Sequence, residues 1–386
     1  MVLPPIHSCL VRELRALGAV VEEMDVRVAL VSDPQLMARW PRKSSAEFVL
    51  SLDLGAVASL SHRIKELQEA LGIPWVVWFL DDPEGYGFPE SCHPRHTMAF
   101  CWDMAVCREM STRGPMTVHY LPLASDPMVF KATEESTHTT PRLKGVFVGS
   151  TCHGNPLLEE AARGCESVRE SARRVWERHR RDMTKSLHSL AWQEASTLAR
   201  DPVWTIRDEP MWRLWVHACL HIAGKLKRME LVRMVLGPEG AVFGDPAWAE
   251  LLDPGCYLGP VEYGPPLRNV YVSSQFVLEV RQPQSRGGLS QRVFDASACA
   301  RPVVAQWSLE LENIFDMSKE VLSYRNMEEA REAAERCLRC PSEAFRMASL
   351  ARKVVLDKHT FAHRAKFMME SLLREGGTFE PDHWAA

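Results

Sequence analysis

The densest run of chemically capable side chains lies between Arg281 and Gln306, RQPQSRGGLSQRVFDASACARPVVAQ. An extended segment there ends in a polar, glycine-bearing loop, Ser285-Arg286-Gly287-Gly288, and a helical pattern begins near Leu289-Ser290. Glycines just ahead of a helix N-terminus let backbone N–H groups and the helix dipole meet an anion. Arg286 and Arg292 can add two-pronged contacts to phosphate. Asp295 follows one helical turn after Arg292. A carboxylate there can accept both hydroxyls of a ribose. A glycine turn followed by a surface Arg–Asp pair meets the same spacing, so the spacing by itself leaves both readings open.

Two more constellations end apolar runs. Gly149-Ser150 follows Lys144-Gly145-Val146-Phe147-Val148, and His153 follows shortly after. Asp81-Asp82 ends the run Trp75 to Leu80. A carboxylate at a strand end can be a general base for an acceptor hydroxyl, or Asp82-Pro83 can simply turn the chain. His93 and His96 in the following loop are alternative bases. No metal site is expected. Cys92, His93, His96, Cys101 and Cys107 cluster without finger or ribbon spacing, and His217 and His221 lack the Glu of a HExxH pair. Cys337-x-x-Cys340 sits in a helical pattern without a second pair.

Strands and helices alternate around these groups. Strands are expected at Phe48–Asp53, Trp75–Leu80, Met98–Cys101 and Val118–Leu121, with a helix over Ala56–Leu71 whose apolar positions 57, 60, 64, 67 and 71 share one face. Only Val2-Leu3 could form a strand before the first helix, Ser8–Leu17. A polar segment, Lys131–Pro141, reads as a linker. Beyond it, strands are expected at 144–150, 241–244, 256–258, 270–272 and 302–305, and helices at 289–299, 327–339 and 342–370. Residues 156–236 read as helix throughout. Their Arg and Glu residues interleave into a solvated face, and their tryptophans suit a core. Strand–helix alternation implies parallel sheets covered by helices. The expected domains are 1–140 and 141–370, the second carrying the helical insertion 156–236, followed by a tail at 371–386.

Composition bounds the function. The 386 residues carry 46 Lys+Arg against 50 Asp+Glu, a net charge of −4. That argues against nucleic acid bound through bulk charge. No apolar run reaches the length of a membrane span, and no signal peptide is recognisable. The 11 cysteines have no disulfide framework; reduced thiols in a cytoplasm are expected.

Several of these segments resemble one family. Gly288-Leu289-Ser290-Gln291-Arg292-Val293-Phe294-Asp295-Ala296-Ser297-Ala298-Cys299 followed by Arg301-Pro302-Val303-Val304 resembles the CgeB-like, spore-maturation-type glycosyltransferases of the GT-B superfamily. Ala300 stands where a glycine is usual. Trp78–Pro83, Leu121–Pro127, Val146–Ser150, and Asp357-Lys358-His359-Thr360-Phe361 with Arg364 fit the same resemblance, in order along the chain. It spans roughly 45–370 and is absent from 156–236.

The resemblance implies a GT-B α/β fold, with two Rossmann-like domains whose parallel sheets face a central cleft. It implies a hexosyltransferase-like enzyme that moves a sugar from a UDP-, GDP- or dTDP-sugar to a saccharide, protein or small-molecule hydroxyl, with no cofactor or metal required. Gly149, Ser150, His153, Arg286, Gly287, Gly288, Leu289, Arg292 and Asp295 would then bind the donor, Asp295 through its ribose. Asp82, Asp81 or His93 would serve the acceptor. The helical insertion could recognise the acceptor or form homodimer contacts. The alternative is a non-catalytic nucleotide-sugar-binding or assembly protein on the same scaffold, since a fold does not fix a function.

Overall fold

The computed structural model describes residues 5–23, 46–53, 74–83, 97–113, 116–132, 142–152, 160, 165–198 and 209–374. The chain forms two compact units. One runs to Leu123 and includes the returning helix from Phe361; the other is Ala124–Thr360. The limits expected from sequence, 140/141 and 370, differ from these. The expected helix 56–71, residues 133–141 of the expected linker 131–141, residues 375–386 of the expected tail, His93, His96, His153 and Val2-Leu3 lie outside the described residues.

The first unit holds a four-stranded parallel sheet in the order β1 (Val49–Leu52), β2 (Trp75–Phe79), β3 (Thr97–Cys101), β4 (Thr117–Tyr120). β2 is buried on both faces, as its unbroken apolar run requires. The helices Pro5–Ala16 and Phe361–Leu373 pack on each other in this unit. Arg364 explains part of the closing sequence motif. It is fully buried, and its Nε and Nη2 donate to the carbonyls of Pro122 and Leu123 at 2.7 and 2.8 Å. Trp78 Nε1 donates to Leu121 O at 3.0 Å. Three successive carbonyls of the outgoing chain are thereby satisfied by side chains, as buried backbone demands. Burial lowers the Arg364 guanidinium to about 9.

The second unit holds five parallel strands in the order β6 (Ala241–Phe243), β5 (Leu143–Val148), β7 (Ser274–Leu278), β8 (Val303–Gln306), β9 (Leu322–Tyr324). The order reverses between β5 and β7. In doubly wound sheets a ligand binds at the carboxyl ends of the strands flanking such a switch. Among the described residues, the insertion holds the helices Glu166–Arg181, Leu187–Leu198 and Glu209–Leu236, packed on one another. Trp176 and Trp215 are in the core, and Glu194 takes Arg174 and Arg178 at 2.7 Å each. Among the described residues no helix is long and apolar enough to cross a membrane.

Three sequence expectations need correction. Val270-Tyr271-Val272 ends a helix, Pro265–Val272, and the strand follows at Ser274. The prolines fit the first helical turn, where no N–H is needed. Leu267 and Tyr271, one turn apart, are the buried pair. Residues 256–258 make only an isolated bridge, Tyr257 with Val242. The helix expected over 342–370 breaks at His359-Thr360 into Pro341–Lys358 and Phe361–Leu373, because Ser125 pairs with Thr360 there.

Ala300 keeps the left-handed turn that glycine usually makes, with φ 53°, while Arg301 N donates to Ala296 O at 3.0 Å. A side chain in that region costs about 1 kcal/mol. Ala300→Gly should therefore raise stability by about 1 kcal/mol in chemical denaturation; a loss would show that the turn is not strained.

Candidate functional site

The carboxyl ends of β5 and β7 gather positive charge. Arg292 reaches back from the Gln291–Ala298 helix and donates through Nη2 to Val148 O, the last residue of β5. Its guanidinium lies over the Phe147 ring, 4.9 Å from the centroid. Arg228, from the Glu209–Leu236 helix, donates through Nη1 to Ser150 O and Oγ at 2.8 and 2.9 Å. The two guanidiniums therefore hold carbonyls two residues apart on one strand end. Gly149 sits between them: a Cβ there would lie 2.8 Å from Arg292 Nη2 and 2.9 Å from the Phe147 ring.

Two further bases lie beneath. Lys227 is 2% exposed, and its Nζ donates to Gln306 Oε1 at 2.5 Å and Arg281 O at 3.1 Å. Arg281 donates to Gln306 O at 2.7 Å. Burial, followed by the charge of Arg281, pushes the Lys227 ammonium down to about 7, and Glu279 acts against that shift. Burial also lowers Arg292. The Nε atoms of Arg228, Arg281 and Arg292 are buried without a hydrogen-bond partner, as is Ser290 Oγ at the start of the Gln291–Ala298 helix. Like charges crowded together with unused donors make a site for an anion.

The loop carrying this site is braced from β6. Asp245 accepts from Thr151 N at 2.6 Å and Thr151 Oγ1 at 3.0 Å. Trp248 Nε1 donates to Gly149 O at 2.8 Å. Gly244 has no room for a Cβ, which would run into Gly149 O. Glycine is required there because two backbones meet.

Asp295 lies one turn beyond Arg292 and is 1% exposed. It is not half of a surface Arg–Asp pair. Its Oδ1 accepts from Ser125 Oγ at 2.7 Å and Gln291 Nε2 at 3.3 Å, and its Oδ2 from Tyr263 OH at 3.0 Å. The glycine-bearing loop has a different setting. Ser285 Oγ donates to Gly288 O at 3.0 Å, and Gly287 packs against the buried Glu310. Arg286 Nη2 lies 3.4 Å from His188 Nε2 of the insertion. Leu289 is buried. The structure thus brings Gly149, Ser150 and Arg292 together, with Asp295 next along the helix. Around Arg286, Gly287 and Gly288 the contacts are those just given, with His188, Glu310 and Ser285. In the first unit, Asp81 and Asp82 follow β2. Asp53, after β1, accepts from Leu80 N at 2.7 Å and Asp81 N at 3.3 Å. Burial raises the Asp53 carboxyl to about 6, and Asp81 adds to the rise. Asp82 is buried, and its N donates to Asp81 Oδ1 at 2.8 Å.

Sequence reasoning passed over Lys227, Arg228 and Tyr263, and took Ser125 only as part of the Leu121–Pro127 resemblance. Lys227-Arg228 did carry a signal: two adjacent bases, both buried, in a helical stretch whose Ala223 and Leu231 are also buried.

Burial pushes the Asp295 carboxyl up to about 8, against the three hydrogen bonds that lower it. A carboxyl raised in the fold contributes most below its unfolded value, near 4, and that contribution is lost as pH rises through 8. Melting temperature should therefore fall more steeply between pH 5 and pH 8.5 in the wild type than in Asp295→Asn. Parallel profiles would show that Asp295 does not titrate in this range.

Residues 221–370 match the glycosyl transferase-like family. The match begins inside the helix that delivers Lys227 and Arg228, in a stretch where sequence reading saw no resemblance. No curated protein matches the chain. In structure, the chain aligns with sucrose-phosphate synthase from Thermosynechococcus elongatus at a TM-score of 0.51 and 11% identity, covering 92% of this chain and 80% of that one. It aligns with HepE of Anabaena, solved with UDP and glucose, at a TM-score of 0.50 and 11% identity, covering 89% and 83%. Identities this low speak for the fold alone. The expected α/β fold with two parallel sheets, of the GT-B type, is the fold found, and its residues 221–370 are glycosyl transferase-like in sequence.

Proposed function

We propose that this protein is a glycosyltransferase that moves a sugar from a nucleoside-diphosphate sugar to an acceptor hydroxyl. The observation that carries the reading is the pair of guanidiniums, Arg228 and Arg292, on the carboxyl end of β5 at the switch point of the sheet. HepE, which shares the fold, was solved with UDP and glucose. The resemblance to CgeB-like enzymes and the match over 221–370 support the same reaction class.

In this reading Arg228 and Arg292 hold the diphosphate, with Ser290 at the helix start adding a donor. Gly149 lets the backbone approach closely. Lys227 and Arg281 set a positive field behind them. As the sugar–phosphate bond breaks, negative charge grows on the leaving diphosphate, and donors already in place stabilise it. These residues fill the charge-stabilising role, so no metal ion is assigned. Asp295 receives the ribose hydroxyls. Asp82 or Asp81 takes the proton of the acceptor hydroxyl, with Asp53 holding their turn.

A thermal-shift panel of UDP-, GDP- and dTDP-sugars tests the donor. At 100 times its Kd a true donor adds about 2.7 kcal/mol of stability. Arg228→Met and Arg292→Met should each weaken that donor about tenfold or more, since each removes a charged hydrogen bond to phosphate. No shift with any donor would end the transferase reading.

Turnover tests the base. Asp82→Asn should keep donor binding and lose at least about 100-fold in kcat, the lower range of general-base effects. Full activity in both Asp81→Asn and Asp82→Asn would remove these residues from the mechanism. Donor binding without turnover for any acceptor hydroxyl would favour a nucleotide-sugar-binding protein.

A further inference from the structure

Asp295 already has the hydrogen bonds that a ribose would bring. Each carboxylate oxygen takes one hydroxyl: Oδ1 that of Ser125 at 2.7 Å, Oδ2 that of Tyr263 at 3.0 Å. A vicinal diol meets a carboxylate in the same pattern. Oδ1 also accepts from Gln291 Nε2 at 3.3 Å, so three of the roughly four acceptor sites of the carboxylate are taken, and in a position only 1% exposed a diol can enter only where these hydroxyls now sit.

The two hydroxyls come from distant parts of the sequence. Ser125 is fully buried, its N donates to His359 O at 3.0 Å, and it pairs with Thr360. Tyr263 is half-buried, with its ring edge against Phe130, centroids 5.1 Å apart. Tyr263 is thus the more accessible of the two hydroxyl donors. Gln291, whose Nε2 also reaches Ala124 O and lies 3.3 Å from Tyr263 OH, closes the ring of contacts.

We propose that Ser125 and Tyr263 are internal competitors for the ribose site, so that nucleotide binding must displace their hydroxyls from Asp295. This rests on the donor reading above. It assigns the site a built-in opposing contact: ligand-free protein is stabilised by the bonds that the nucleotide breaks. Affinity is then set partly by these two hydroxyls, although neither touches the bound ligand in the productive state.

The competition has a sign opposite to that of an ordinary brace. A brace that positions Asp295 would weaken binding when removed. A competitor would strengthen it. By calorimetric titration with UDP, GDP and ADP, Ser125→Ala and Tyr263→Phe should each bind the nucleotide that the wild type binds about two- to tenfold tighter, the net worth of one hydrogen bond. The 2′,3′-dideoxy form of that nucleotide, which has no diol, should bind all three proteins alike. Without nucleotide both variants should melt below the wild type, and at saturating nucleotide the gap should shrink, because bonds already broken in the complex cannot be lost again.

Equal or weaker binding in the variants, or a melting gap of the same size with and without nucleotide, would overturn the proposal while leaving the donor reading standing. If Ser125→Ala does not fold, Tyr263→Phe, at the half-buried position, carries the same test. If no nucleoside diphosphate binds the wild type, the donor reading falls and this proposal falls with it.

Discussion

The second unit depends on a hard electrostatic constraint: positive side chains must be kept together where the strands end. Arg228 and Arg292 are each anchored to a backbone carbonyl of the same loop, and Lys227 and Arg281 share Gln306. Such an arrangement is costly without an anion. Burial, and then the charge of Arg281, push the Lys227 ammonium down to about 7. The fold tolerates the arrangement because backbone carbonyls and the Gln306 amide oxygen accept from each of these side chains and Glu279 supplies an opposing charge. An anion that met the remaining Nε donors would relieve what the protein alone leaves unpaired.

The sheet order explains why the charge collects there. With β6 on one side of β5 and β7 on the other, the connections from β5 and β7 leave in opposite directions, the arrangement at which doubly wound sheets bind their ligands. Asp245, Trp248 and Gly244 then fix the β5 loop so closely that its carbonyls present a set position to both guanidiniums. Asp295, one turn beyond Arg292, follows from helical periodicity. Rigid elements, rather than the long insertion, carry these groups; the exception is the last part of the Glu209–Leu236 helix.

Much of this was legible in the sequence where chemistry and local pattern coincide. Gly149, Ser150, Arg292 and Asp295 follow strand ends or helix starts, and a reader of periodicity finds them. The glycine-bearing loop at 285–288 reads as an anion site from composition and its place before a helix; in the structure Glu310 lies beside Gly287 and His188 beside Arg286. Arg228 was hidden because a base in a helix reads as solvated until the fold buries it. Ser125 and Asp295 are 170 residues apart, and no local pattern could pair them. Val270–Val272 misled because β-branched residues favour strands, whereas the prolines before them start a helix and Tyr271 is buried on its face.

The most direct measurement of the central claim is a crystal structure with a nucleoside diphosphate bound. The account predicts its phosphates at the carboxyl end of β5, within hydrogen-bond distance of Arg228 and Arg292, and its ribose on Asp295 in place of Ser125 and Tyr263. Phosphates bound instead on the Gly287–Gly288 loop, with Arg228 and Arg292 still on their carbonyls and no ligand beside them, would contradict it.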